Sequence, residues 1–143
     1  MGGRMRVAVF GVNGRMGGEV CRAVTTSPDL DLVAGLDIGD NRNDARRAQV
    51  VVDFTHPDAV MDNVKWCIDN GLHMVIGTTG FTEERYDQVR TWLGDAPTVG
   101  VLVAANFNAS NAVTKNGQRR YRMKLALQLV KGQWLVSDFQ QVV

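Results

Sequence analysis

The chain has 143 residues, a length that suits one domain able to bury a hydrophobic core. Its formal net charge of +1 and 45% apolar content describe an ordinary globular protein with no general attraction to nucleic acid. No apolar run approaches the ~20 residues of a membrane span, and Met1-Gly2-Gly3-Arg4-Met5 leads into no signal-peptide core, so a cytoplasmic location without a membrane partner is expected.

Arg6-Val7-Ala8-Val9-Phe10 is a short apolar run stopped by Gly11, the pattern of a first, buried strand. A helix is predicted over 15–25, with Met16, Val20 and Val24 along one face, and Ser27-Pro28-Asp29 breaks it. Residues 30–36 read as a second strand closed by Asp37. The polar stretch 39–47 reads as a loop or a single helical turn. Valine-rich 49–54 is a third strand. Thr55-His56-Pro57-Asp58 then opens a helix, with Thr55 or His56 at the cap and Pro57 in the first turn. Its buried face is Val60, Val64, Cys67 and Ile68, and Asn70-Gly71 ends it. Residues 73–76 form a fourth strand. Thr82 caps a third helix with Tyr86, Val89 and Leu93 inward, and 99–104 form a fifth strand. Strands alternating with helices predict an α/β fold with a doubly wound parallel sheet. Cys21 and Cys67 both fall inside predicted helices, far apart in sequence. They are expected as free thiols, with no metal site.

The pattern changes near Ser110. Formal charge is −4 over residues 1–110 and +5 over 111–143, which marks a seam between a first domain, 1–110, and a basic tail, 111–143. In the tail, Tyr121, Met123, Leu125, Leu127 and Leu129 alternate with Arg120, Arg122, Lys124, Ala126 and Gln128. That period of two predicts a strand, followed by a turn at Val130-Lys131-Gly132-Gln133 and a returning strand to Val142. A C-terminal antiparallel β-hairpin of this kind does not continue a buried parallel sheet.

Four tracts fall at the carboxyl ends of predicted strands, where open parallel sheets bind ligands. They are Gly11-Val12-Asn13-Gly14-Arg15-Met16-Gly17, Asp53-Phe54-Thr55, Gly77-Thr78-Thr79-Gly80-Phe81 and Ala104-Ala105-Asn106-Phe107. The first has the spacing G-x-x-G-x-x-G between a strand and a helix. A tight turn, bare backbone N–H groups and a helix dipole suit a pyrophosphate there. Asp37 follows about twenty residues later, where a carboxylate accepts hydrogen bonds from adenosine ribose hydroxyls. A carboxylate in that place repels a 2′-phosphate and favours NAD, whereas Arg15 offers a guanidinium that pairs with phosphate.

In order and spacing these tracts resemble dihydrodipicolinate reductase, also called 4-hydroxy-tetrahydrodipicolinate reductase, of bacterial lysine and diaminopimelate synthesis. The likeness covers about 5–108, and the short segment 37–49 resembles the actinobacterial branch. It implies a Rossmann-type sheet, NAD(P)H as cofactor, and cofactor contacts from Gly11, Asn13, Gly14, Arg15, Met16, Asp37, Phe54, Gly77, Thr78, Thr79, Ala104, Asn106 and Phe107. The tail is similar to the closing strands of nuclear-transport-factor-2-like proteins, including actinobacterial Mce-associated ones.

The family's substrate domain brings a His-His pair, a nearby lysine and a Gly-Thr-Ala segment, none of which occurs here. His56 precedes a helix proline and His73 opens a strand, so both read as structural. No residue is therefore assigned a catalytic role. The expectation is a truncated reductase nucleotide domain that binds NADH or NADPH without turnover by itself. The alternatives are a subunit that needs a partner chain for catalysis, or a non-enzymatic binding and interaction module. The hairpin is the candidate surface for a homo-oligomer.

Overall fold

The computed structural model of the protein describes residues 4–94, 99–103, 122–130 and 133–142. Five strands, β1 (Met5–Phe10), β2 (Leu30–Leu36), β3 (Val50–Asp53), β4 (His73–Ile76) and β5 (Val101–Val103), form one parallel sheet in the order β2-β1-β3-β4-β5. Parallel neighbours need crossovers, and three helices supply most of them: α1 (Arg15–Thr26), α2 (Pro57–Asp69) and α3 (Glu83–Gly94).

Alternation along the strands divides the core in two. Val7 and Val9 of β1, Val50 and Val52 of β3 and Val75 of β4 pack with Val24 of α1. Ala8, Phe10, Val51, Met74 and Ile76 point to the opposite face, against Val60, Val64, Cys67 and Ile68 of α2 and Val89 of α3. Both faces are covered, so the interior strands carry continuous apolar runs, Val7 to Phe10 and Val50 to Val52, rather than alternating ones.

The helix starts and stops follow the sequence reading closely. His56 is the cap of α2, its Nδ1 accepting from the Asp58 amide at 3.2 Å, and Pro57 occupies the first turn. The Thr82 hydroxyl accepts from the Arg85 amide at 3.3 Å ahead of α3. The segment between β2 and β3 is a single 3₁₀ turn, Arg42–Ala45, capped by Asn41 and anchored by the fully buried Ala45. The third strand is shorter than expected, Val50–Asp53 rather than 49–54. The fifth, Val101–Val103, begins two residues later than expected, and the expected end at 104 lies outside the described residues.

In the tail, β6 (Arg122–Val130) pairs with β7 (Gln133–Val142) antiparallel, as the two-residue alternation predicts. The register sets Leu129 opposite Trp134, Leu127 opposite Val136 and Leu125 opposite Phe139. A shift between Ala126 and Leu127 brings Phe139, rather than Asp138, across from Leu125. The seam near Ser110 lies outside the described residues.

Candidate functional site

The strand order reverses beside β1, which has β2 on one side and β3 on the other. Such a reversal leaves a crevice at the carboxyl ends of the strands. Gly11 turns the chain out of β1 at a φ of +92°, and a Cβ there would run into the Phe54 carbonyl. Gly17 lets the first turn of α1 lie directly on Gly11, whose carbonyl oxygen would collide with any Cβ at residue 17. These two contacts set the start of α1 close against β1 and β3.

The positive end of α1 is left open. Gly14 is its cap and offers no side chain, and the first turn holds no acidic residue. The other two helices carry Asp58, or Glu83 and Glu84, in their first turns. Among the described residues, nothing accepts from the backbone N–H groups of Arg15, Met16 and Gly17. The Arg15 side chain is exposed and Met16 is half-buried.

Asp37 is joined to this loop. Its Oδ2 accepts from the Asn13 amide at 2.8 Å and its Oδ1 from the Ile38 amide at 2.8 Å. Its own amide donates to Asp40 Oδ2 at 2.8 Å. The carboxylate thus orients the glycine loop, and each oxygen keeps a lone pair for a further donor. Below it, Phe10, Leu36, Ile38, Arg42, Thr55 and Ala59 help line a cavity of about 140 Å³.

A second cluster ties together the tracts after β3 and β4. Asp53, with no exposed surface, receives the Thr55 amide at 3.0 Å, the Thr55 hydroxyl at 2.7 Å and the Thr78 hydroxyl at 2.6 Å on Oδ1. Its Oδ2 receives Asn63 Nδ2 at 2.9 Å. Thr78 is therefore buried with its hydroxyl turned inward, while Thr79 is exposed beside it. The Phe54 ring lies flush on Gly77, where a Cβ would enter the ring. Of the sequence candidates, Gly11, Asn13, Gly14, Arg15, Met16 and Asp37 come together around one crevice. Phe54, Gly77, Thr78 and Thr79 form the adjoining wall. Ala104, Asn106 and Phe107 lie outside the described residues.

Asn63 and Arg42 of this region were not singled out from sequence, and Asp53 was noted only as the first residue of a ligand-facing tract. Asp53 ends an otherwise valine-only strand. Asn63 falls three residues after Val60, on the buried face of α2. Both are polar residues at positions where the pattern demands apolar ones, and that is the signal that finds them. Arg42, in the short turn after β2, carries no such mark.

The two histidines stand apart from this crevice in role. His56 is the helix cap, and His73 Nδ1 accepts from the Gly100 amide at 3.0 Å at the start of β4. Burial lowers the pKa of His73, which keeps that nitrogen an acceptor. Burial pushes the Cys67 thiol well up, and Asp53 adds to the push, so no thiolate forms there. Among the described residues, no three His, Cys, Asp or Glu side chains gather as a metal site, and no helix is long and apolar enough to cross a membrane.

Comparison with known proteins gives a consistent set of relatives. The profile of "Dihydrodipicolinate reductase, N-terminus" matches residues 5–107. The 4-hydroxy-tetrahydrodipicolinate reductase of Cutibacterium acnes is 54% identical over 104 residues, which are 73% of this chain and 42% of that protein. That of Corynebacterium urealyticum is 53% identical over 112 residues, 77% of this chain and 45% of that protein. The chain therefore spans less than half the length of these curated relatives. Among solved structures, dipicolinate-bound dihydrodipicolinate reductase from a Paenisporosarcina species superposes with a TM-score of 0.62 at 26% identity, over 74% of this chain and 49% of that one. GenD2 of gentamicin A biosynthesis, solved with NAD, shares the fold at a TM-score of 0.59 and 22% identity, over 75% of this chain and 36% of that one.

Proposed function

The chain belongs to the dihydrodipicolinate reductase family through its N-terminal domain, and from that premise we propose that it binds NADH or NADPH across the carboxyl ends of β1 to β4. The observation that carries this reading is the open start of α1, whose three unpartnered amides face the same crevice as the loop that Asp37 holds. In this assignment the pyrophosphate lies on the amides of Arg15, Met16 and Gly17, and Asp37 accepts from the adenosine ribose. Gly11, Asn13 and Gly14 give the backbone room. Phe54, Gly77, Thr78 and Thr79 border the nicotinamide, with Ala104, Asn106 and Phe107 completing that wall by family resemblance.

The bound dinucleotide supplies a hydride. Its use on a dihydrodipicolinate needs the substrate held within about 3–3.5 Å of the nicotinamide. The chain matches less than half of its relatives, and its residues include no His-His and lysine set for gripping a dicarboxylate. We therefore assign it the nucleotide-binding part of the reaction, in the cytoplasm, with residues 1–110 as the binding domain and 111–143 as a separate hairpin unit.

The test is fluorescence titration with NADH and NADPH, with saturable binding expected. Gly14→Asp is the control. The backbone at residue 14, φ −78° and ψ 163°, suits an L residue, and a Cβ there asks the Gly11 carbonyl oxygen at 3.3 Å to give by a few tenths of an ångström, so the variant is expected to fold while carrying negative charge into the amide cradle. It should lose binding while keeping its melting temperature. Failure of both dinucleotides to bind the parent chain up to millimolar concentration would refute the reading.

A further inference from the structure

Arg85 stands where local chemistry argues against it. The Thr82 hydroxyl caps α3, and three residues after such a cap a glutamate or glutamine is favoured, because it reaches back to the cap's own amide. Here that residue is an arginine, a cation in the first turn of a helix, where the dipole repels it. Glu83 and Glu84 precede it, yet Arg85 forms no ion pair among the described residues. Its half-buried side chain crosses instead to the neighbouring helix, where Nη1 donates to the Pro57 carbonyl at 2.8 Å. Pro57 lies in the first turn of α2, so the guanidinium sits by the positive ends of two helices at once. Sequences break such local rules where tertiary structure or function demands it.

The segment that depends on this bond is the turn between β4 and α3. Its base is fixed by Gly77 against the Phe54 ring and by the Thr78 hydroxyl on Asp53. Its tip is held differently: among the described residues, no hydrogen bond reaches Thr79, Gly80 or Phe81. Gly80, at a φ of +93°, rests on the Pro57 ring, which a Cβ there would meet at 2.7 Å. Phe81 leans on Tyr86, the residue after Arg85, with ring centroids 5.3 Å apart. The tip is thus placed by Pro57 on one side and by the first turn of α3 on the other. The bond from Arg85 to Pro57 joins those two supports, and it is the one hydrogen bond between α2 and α3 among the described residues. Resting on the nucleotide-binding reading of this crevice, we propose that Arg85 is a positioning residue for the nicotinamide end of the cofactor. Its role is indirect: by tying α3 to Pro57 it sets where Thr79 and Gly80 stand. The amides of α1 and the carboxylate of Asp37, which take the other end of the dinucleotide, belong to elements that it does not tie.

The experiment titrates the full chain and its Arg85→Met and Arg85→Lys variants, by calorimetry, with NADH and with ADP-ribose, which lacks the nicotinamide end. The parent should bind NADH more tightly than ADP-ribose. Arg85→Met keeps an apolar stem and removes the donor. It should weaken NADH about tenfold, the weight of one charge-assisted hydrogen bond, and leave ADP-ribose within about twofold. Arg85→Lys retains a donor and should recover most of the NADH affinity. ADP-ribose binding by Arg85→Met also shows that the variant is folded. An arginine that served the fold alone would move both ligands together. Equal weakening of the two ligands in Arg85→Met, no change in either, or a parent that binds the two equally overturns the inference and leaves the cofactor reading standing. A parent that binds neither overturns both.

Discussion

Asp53 closes β3 as the one carboxylate among the described residues with no exposed surface, and four donor hydrogens converge on it. Through Thr55 and Thr78 it fixes the backbone after β3 relative to the turn after β4, which are the two walls around Phe54. Asp53→Asn removes the charge and turns an amide N–H₂ toward the donor of Asn63. It should cost about 2 kcal/mol, the range of hydrogen bonds to a charged group, read from urea denaturation. The paired change Asp53→Asn with Asn63→Asp puts donor and acceptor back in opposite places and should recover more than half of that loss. A double variant no more stable than the single one would show that packing rather than hydrogen bonding governs the position. This knot was half legible. The Asp53-Phe54-Thr55 tract stood out in sequence as a ligand-facing motif, but its first residue turns inward, and nothing local to the tract reveals that direction.

Elements were read more completely than residues, because their signals are local. Gly11, Asp37, Pro57, Asn70-Gly71 and Thr82 punctuate the chain chemically. The alternation of apolar runs with amphipathic stretches then fixes the order of strands and helices. Strand ends were less legible, since the ladder stops where a neighbour stops: β5 pairs with β4 only from Val101 to Val103. In the hairpin, the period of two gave β6 and β7, but the shift that sets Phe139 opposite Leu125 depends on both strands together. That register aligns apolar residues of the two strands, and an isolated two-stranded hairpin is at best marginally stable in water. We expect the aligned face to be covered, by the first domain or by a second copy. Leu127→Asp should then lower the melting temperature or change the oligomer seen by sedimentation, while Gln128→Asp does neither. Equal, small effects from the two substitutions would count against a covered face.

At the scale of the whole molecule, the proposed reading gives the five-stranded sheet and its crevice the cofactor-binding half of a reaction whose other half needs a substrate grip. Mixed with NADPH and the product of dihydrodipicolinate synthase, the chain alone should oxidise the cofactor no faster than its Gly14→Asp variant. Turnover above that control would mean that residues outside the family's known grip position the substrate. The placement of β1 has a further consequence, for the birth of the protein. Of these five strands a ribosome delivers this interior one before the others, and its partners on either side, β2 and β3, arrive only by Leu36 and Asp53. Five of the six residues of β1 end up buried. Until Asp53 has emerged, the nascent chain holds Val7-Ala8-Val9-Phe10 without one of the two ladders that shield it. Parallel pairing of this kind is slow because each crossover must form before its strand docks. The glycine loop that ends β1 is thus translated early and shaped late, acquiring its geometry only once the Phe54 carbonyl is there for Gly11 to turn against.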